Sequence, residues 1–184
     1  MGGDQEKSVI EKFLEDNVLF LGPDPEIMES HQVAPISQRE ADAMAGFKDA
    51  DQVNLVRHKL QTACNESFDM VEQMGAAPGA KWGDLISGVW TMHGDLAMAS
   101  MGGVLIFSVL TQHPVKFILK YWKDDATVGI RPGDIFMHND ARYGNIHNTD
   151  QSLIIPVFHE GELICFTGAI VHEGENGACE PGGM

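Results

Sequence analysis

The sequence predicts an α+β fold in which a long helix and further apolar helices pack on antiparallel β-hairpins. Three observations carry that expectation. Apolar residues recur at helical spacing up to Gly75, two pairs of strand-like runs are each joined by a short polar turn, and a helix-length apolar segment, 104–122, separates the two pairs. With 184 residues and 43% hydrophobic content, the chain can fill one core and is too short for several domains.

Residues 5–16 carry a short amphipathic pattern, and Gly22-Pro23-Asp24-Pro25 then forces irregular backbone. Residues 1–36 are therefore read as an N-terminal arm and 37–184 as the domain. Ser37-Gln38-Arg39-Glu40 fits a capping box, because a serine at the N-cap and a glutamate three residues on satisfy each other's exposed amides. Val53, Val56, Leu60, Ala63, Ser67, Met70, Val71 and Met74 follow at helical spacing, with Gly75 as the C-cap. The methionines are expected as core filler. Gly75 to Lys81 is not a phosphate loop: Lys81 does not directly follow Gly79, and Trp82 stands where a magnesium-binding Ser or Thr belongs.

Leu85 to Met92 and Leu96 to Ser100 flank His93-Gly94-Asp95, so they form a hairpin with His93 in its turn. Within 104–122, Pro114 has no amide hydrogen and must start a second helix or kink the first. Asp134 to Met137 reads as another strand, and a second hairpin runs from Leu153 to Phe166 around Glu160-Gly161.

Twelve Lys and Arg against 27 Asp and Glu leave a net charge of −15, which repels nucleic acid and anionic lipid and excludes both as partners. The acidic residues are dispersed, as on a solvated surface. Cys64, Cys165 and Cys179 are odd in number and lack CxxC spacing, so they form neither a disulfide framework nor a thiolate zinc site. Cys165 alternates along a buried strand and reads as core. With no basic leader and no apolar run of about 18 residues, the chain is expected to be cytoplasmic with no membrane span.

The second hairpin holds the chemistry. A two-residue loop at Glu160-Gly161 pairs His159 with Glu162, which places His172 opposite Thr149 with Asp150 as its diagonal neighbour. His147 needs only a loop turn to join them. Two imidazoles and a carboxylate converging from a loop and a strand end suit a divalent metal with open positions, manganese or iron by oxygen-rich ligation, with zinc possible in principle. The same three groups can also simply hydrogen-bond one another, and spacing alone leaves both readings open. His138-Asn139-Asp140 lies close by in sequence and is also ordinary turn chemistry. Glu173 and Glu175 could add a carboxylate or a general base, or sit in a solvated loop.

The run GDIFMHNDARYGNIHNTDQSLIIPVF, then GELICF, then VHEGENGACEPGGM, resembles the hydantoinase B family, which includes acetone carboxylase alpha subunits and related subunits of ATP-dependent hydantoinases and oxoprolinases. The resemblance rests on HND at 138–140, G-x-x-H-x-x-D at 144–150, GEL at 161–163, His172 and the Pro181-Gly-Gly-Met184 ending, and it extends from about Gln52 to the end. It implies a manganese site held by His147, Asp150 and His172. It also implies ATP use in a hydantoinase A-type partner subunit, with a small third subunit as a further candidate, and a small ketone and bicarbonate as substrates. The metal as Lewis acid would stabilise an enolate for attack on the activated carbon, giving a 3-oxo acid. Asp140 and Glu175 are candidates for proton handling or for supporting the ligands.

Ala141 and Glu173 occupy places where many hydantoinase-branch members carry Pro and a second His, which disfavours a plain hydantoinase. Family subunits are several times longer, so the chain is expected to be the N-terminal part of a larger subunit, incomplete at its C-terminal end. Two other functions remain open at this level: a subunit of an ATP-dependent lactam hydrolase, and a non-catalytic scaffold fragment.

Overall fold

A computed structural model describes residues 24, 26–27, 35–47 and 49–174. The amphipathic pattern at 5–16, Glu175, Cys179 and the Pro181–Met184 ending lie outside the described residues.

Ser37 and Glu40 form the expected capping box, each side chain bonding the other's backbone amide, and they open helix α1, Gln38–Gly46. The long helix does not run unbroken from there. The chain leaves the helix at Phe47, and Asp49 caps a new start by accepting from the Asp51 amide at 2.9 Å. Helix α2, Ala50–Met74, then ends at Gly75. Lys81 finishes it from outside, donating to the carbonyls of Glu72 and Gln73 at 2.9 and 2.6 Å, where a helix C-terminus offers unpaired acceptors. That is the work of the lysine in the glycine-containing stretch already rejected as a phosphate loop.

The short helix α3, Pro78–Lys81, leads into strand β1, Leu85–Thr91, and its hairpin partner β2, Leu96–Ala99. His93 is in the turn as expected, and its Nε2 lies 3.3 Å from Glu40, tying α1 to the hairpin tip. The apolar segment forms α4, Leu105–Leu110, and α5, Gln112–Phe117, which passes into one π-helical stretch, Ile118–Trp122. Pro114 falls in the first turn of α5, where its missing amide hydrogen leaves no helical bond unmade. Strand β3, Phe136–His138, a 3₁₀ turn, Ala141–Tyr143, and the long hairpin β4, Asp150–His159, and β5, Glu162–His172, are the last elements among the described residues.

The strands form one antiparallel sheet in the order β2-β1-β5-β4-β3. On one face Ile86, Trp90, Ile154, Phe166 and Ile170 meet Phe107, Val115 and Ile118 from α4, α5 and the π-helical stretch. The Trp90 indole donates to the Ser108 carbonyl at 2.9 Å, so this large side chain is buried with its one polar atom satisfied. The α+β class and the packing of apolar helices on hairpins are as the sequence predicts.

Helix α2 covers the other face, and here the expectation is corrected. Its sheet-facing stripe is Gln61, Cys64, Ser67 and Phe68; of the expected stripe Ser67 faces the sheet and Leu60 and Val71 are half-buried, while Val53, Val56 and Met70 are at least half exposed. Met44, Met74, Met101 and Met137 are exposed as well, so these methionines are not core filler. The physical reason lies in polar bonds to the hairpin: Gln61 donates to the Ala99 carbonyl at 2.8 Å, Asn65 accepts from the Met101 amide at 2.9 Å, and Ser67 meets Ser87 at 3.1 Å. These bonds, together with buried Cys64, rotate the helix away from its most apolar stripe. No helix among the described residues is long and apolar enough to cross a membrane.

Candidate metal centre

The turn at the tip of the long hairpin is read correctly from sequence. Glu160 and Gly161 both take positive φ, 50° and 83°, and His159 pairs with Glu162. The register then departs from the expected one. Phe158 faces Leu163 but Val157 faces Cys165, so Ile164 is an extra residue and every later pair is displaced by one. His172 therefore lies directly opposite Asp150, not opposite Thr149. The bulge sets the Asp150 and His172 side chains directly across from each other.

Asp150 is fully buried, and both oxygens of its carboxylate are engaged. Oδ2 accepts from the backbone amides of Ile146 and His147 at 3.1 and 2.7 Å. Oδ1 lies 2.7 Å from Nδ1 of His172, and since a carboxylate only accepts, Nδ1 carries the hydrogen of that bond. The loop that carries His147 is thus wrapped around the Asp150 side chain, and the Asp150 amide closes it by donating to the His147 carbonyl at 3.1 Å. The His147 and His172 rings stand edge to face with centroids 5.6 Å apart. All three residues named from sequence meet at one end of the sheet.

Two glycines make this geometry possible. Gly144 enters the loop at φ 116°, and a Cβ there would meet the Leu110 carbonyl oxygen at 2.5 Å. Gly79 lets α3 lie directly on the end of β5: an added Cβ would stand 2.0 Å from the His172 carbonyl oxygen. Gly79→Ala must therefore push α3 away from His172. It is expected to lower stability by about 1–3 kcal/mol in urea unfolding, as overpacking does; an unchanged unfolding midpoint would refute this account of the contact.

Asp140, a candidate for proton handling or ligand support in the sequence, caps a turn here. Its carboxylate is gripped by the Arg142 guanidinium and accepts from the Arg142 amide at 2.9 Å, capping the 3₁₀ turn. The Arg142 bonds hold its carboxyl below the usual carboxylate range despite partial burial. No hydrogen bond or ion pair joins it to His147, Asp150 or His172. Glu173 donates its amide to the Thr149 carbonyl at 3.0 Å, extending the β4–β5 pairing past His172. Burial raises the Cys165 thiol, which does not favour a nucleophile.

Sequence reasoning missed Asn145. It is buried, its Nδ2 donates to the Asp150 carbonyl at 2.6 Å, and its Oδ1 accepts from Ser152 at 2.9 Å. The available signal was its place directly after Gly144 within the G-x-x-H-x-x-D step. His138, at the end of β3, pairs with Ser152 across the sheet and so shares the face of Asp150.

Among the described residues no three His, Cys, Asp or Glu side chains form a ready-made metal cage. The donor types, two imidazoles and one carboxylate, are those that divalent ions take, and as they stand His172 Nδ1 gives its hydrogen to Asp150 Oδ1, so an ion would have to displace that proton or use the other ring nitrogen.

The hydantoinase B/oxoprolinase family model matches residues 49–184, and the chain belongs to that family. Among individual proteins, it is 38% identical over 152 residues to the acetophenone carboxylase delta subunit of Aromatoleum aromaticum, covering 82% of this chain and 21% of that one. It is 29% identical over 132 residues to the acetone carboxylase alpha subunit of Xanthobacter autotrophicus, covering 71% of this chain and 17% of that one. A nucleotide-free acetone carboxylase structure superposes with a TM-score of 0.67 at 26% identity, over 73% of this chain and 17% of that chain. An ATP-dependent caprolactamase from Pseudomonas jessenii shares the fold, with a TM-score of 0.58 at 24% identity over 74% of this chain and 23% of that one. The chain thus spans about a fifth of the length of these curated relatives.

Proposed function

We propose that this chain is the metal-holding portion of an alpha-type subunit of an ATP-dependent ketone carboxylase, with manganese held by His147, Asp150 and His172. The convergence of those three side chains at the β4–β5 end carries the reading, together with the likeness to acetone and acetophenone carboxylase subunits. The reaction proposed for the assembled enzyme joins a small ketone to carbon from bicarbonate and yields a 3-oxo acid, with ATP used in a hydantoinase A-type partner.

The bound ion would supply Lewis-acid stabilisation of an enolate. The chain's own residues do the rest of the positioning. The Ile146 and His147 amides fix one carboxylate oxygen of Asp150, so its other oxygen points at His172 with little freedom. The β4–β5 pairing holds His172 at the strand end, and the loop presents His147 beside it. Glu175 is retained as a proton-handling candidate from the sequence. Asp140, bound to Arg142, is better suited to shaping the turn.

Elemental mass spectrometry on chain purified without chelator tests the proposal. Near-stoichiometric manganese is expected in the natural chain and its loss in His147→Ala, His172→Ala and Asp150→Asn. A natural chain without metal would overturn it. Ala141 and Glu173, which depart from the hydantoinase branch, favour carboxylation over lactam hydrolysis. With an ATP-using partner, labelled bicarbonate should enter a 3-oxo acid, whereas ring opening of a hydantoin would support the hydrolase.

A further inference from the structure

We propose that Asn145 is a positioning residue for this centre, a buried clasp that closes the 144–150 loop and so sets where His147 and Asp150 stand when an ion arrives; the inference rests on the metal reading above.

Asn145 is only 6% exposed, and its side-chain amide bonds Asp150, His138 and Ser152 at once. Nδ2 donates to the Asp150 carbonyl at 2.6 Å and, at 3.4 Å, to the His138 carbonyl at the end of β3. Oδ1 accepts from the Ser152 hydroxyl at 2.9 Å. The orientation of the amide follows from its neighbours: two carbonyls can only accept, so the nitrogen faces them. Asn145 thereby ties the beginning of the loop to its end and both to the neighbouring strand. What lies between those ends is the Ile146–His147 pair of amides that hold the Asp150 carboxylate. Asparagine is specific here, because an apolar side chain of equal volume makes none of these bonds and serine is too short to span them.

The test uses the full 184-residue chain and two variants, Asn145→Ala and Ser152→Ala. Manganese affinity is read by electron paramagnetic resonance of the free ion at 25 °C, and amide hydrogen exchange is followed in metal-free protein. Asn145→Ala is expected to weaken manganese binding about 10–100-fold, as loss of groups that orient ligands does. It should also speed exchange at Ile146 and His147 at least about tenfold, with Thr167 and Val89 in the centre of the sheet unchanged. Ser152→Ala, which spares both donor bonds of Asn145, should shift both readouts less and in the same direction, and it stands in if the alanine at 145 prevents folding. Unchanged affinity, or exchange that rises evenly across the sheet, would make Asn145 a merely structural residue and overturn the proposal. If the natural chain takes up no manganese, the metal reading falls, and selective exchange at Ile146 and His147 still decides whether Asn145 fixes the loop.

Discussion

Asp150→Ala is expected to remove roughly 3–5 kcal/mol of stability, a loss typical of breaking a buried pair from one side. Asp150 has no exposed surface, and three donors converge on its carboxylate: the Ile146 amide, the His147 amide and His172 Nδ1. Alanine leaves them without their acceptor, and each unmade bond in a buried place costs about 1–3 kcal/mol. Asp150→Asn keeps the shape and one acceptor oxygen for the two amides, so it should cost less, about 1–3 kcal/mol by the same reasoning. Urea unfolding at pH 7.5, a condition chosen for the test, separates the two variants. A loss below about 1 kcal/mol for alanine would mean that the loop finds other partners and that Asp150 does not organise it.

The second large effect is a dependence of stability on pH centred on His138. Its Nε2 is buried with no hydrogen-bond partner among the described residues, and burial pulls its pKa down from 6.5 to about 4, with Asp140 offsetting part of that shift. The folded state therefore keeps the imidazole neutral where the unfolded chain takes up a proton. Above pH 6.5 both states are neutral and the full stability is present. As the pH falls from 6.5 towards 4 the unfolded state gains the proton first, and about 3 kcal/mol is lost across that window, at about 1.4 kcal/mol per unit of pKa difference. Asp24, held down to about 2 mainly by bonds from Lys120 and Tyr121 against a large burial cost, loses its contribution only at lower pH. His138→Phe should flatten the curve between pH 6.5 and 4 relative to the natural chain. Parallel curves for the two proteins would show that His138 is not the group responsible.

Much of the fold was legible because it is local. The capping box at Ser37, the Glu160-Gly161 turn, and the break around Pro114 each follow from the backbone preferences or bonding groups of two to four neighbouring residues. The break between α1 and α2 had a signal too, Gly46 followed by Asp49, which the strong helical spacing further along outweighed. The face that α2 presents to the sheet had no such local signal. Its apolar residues point to one stripe, and only contacts with Ala99, Met101 and Ser87, 20 to 38 positions away, select the polar stripe instead.

The candidate site divides in the same way. The residue types and their spacing, His147 three before Asp150 on one arm of a hairpin and His172 on the other, were determined by the sequence together with the tip of that hairpin. The pairing of Asp150 with His172 was decided only by the tertiary structure, because one extra residue at Ile164 displaces the ladder by a position. A bulge inside an apolar run leaves no mark on local preferences: Leu163, Ile164 and Cys165 are all acceptable strand residues, and which of them goes unpaired depends on how Phe166 and Ile170 seat in the core across the sheet. The burial of Asn145 and the approach of Gly79 to His172 were decided at the same level, since both depend on segments far apart in the chain meeting at one strand end.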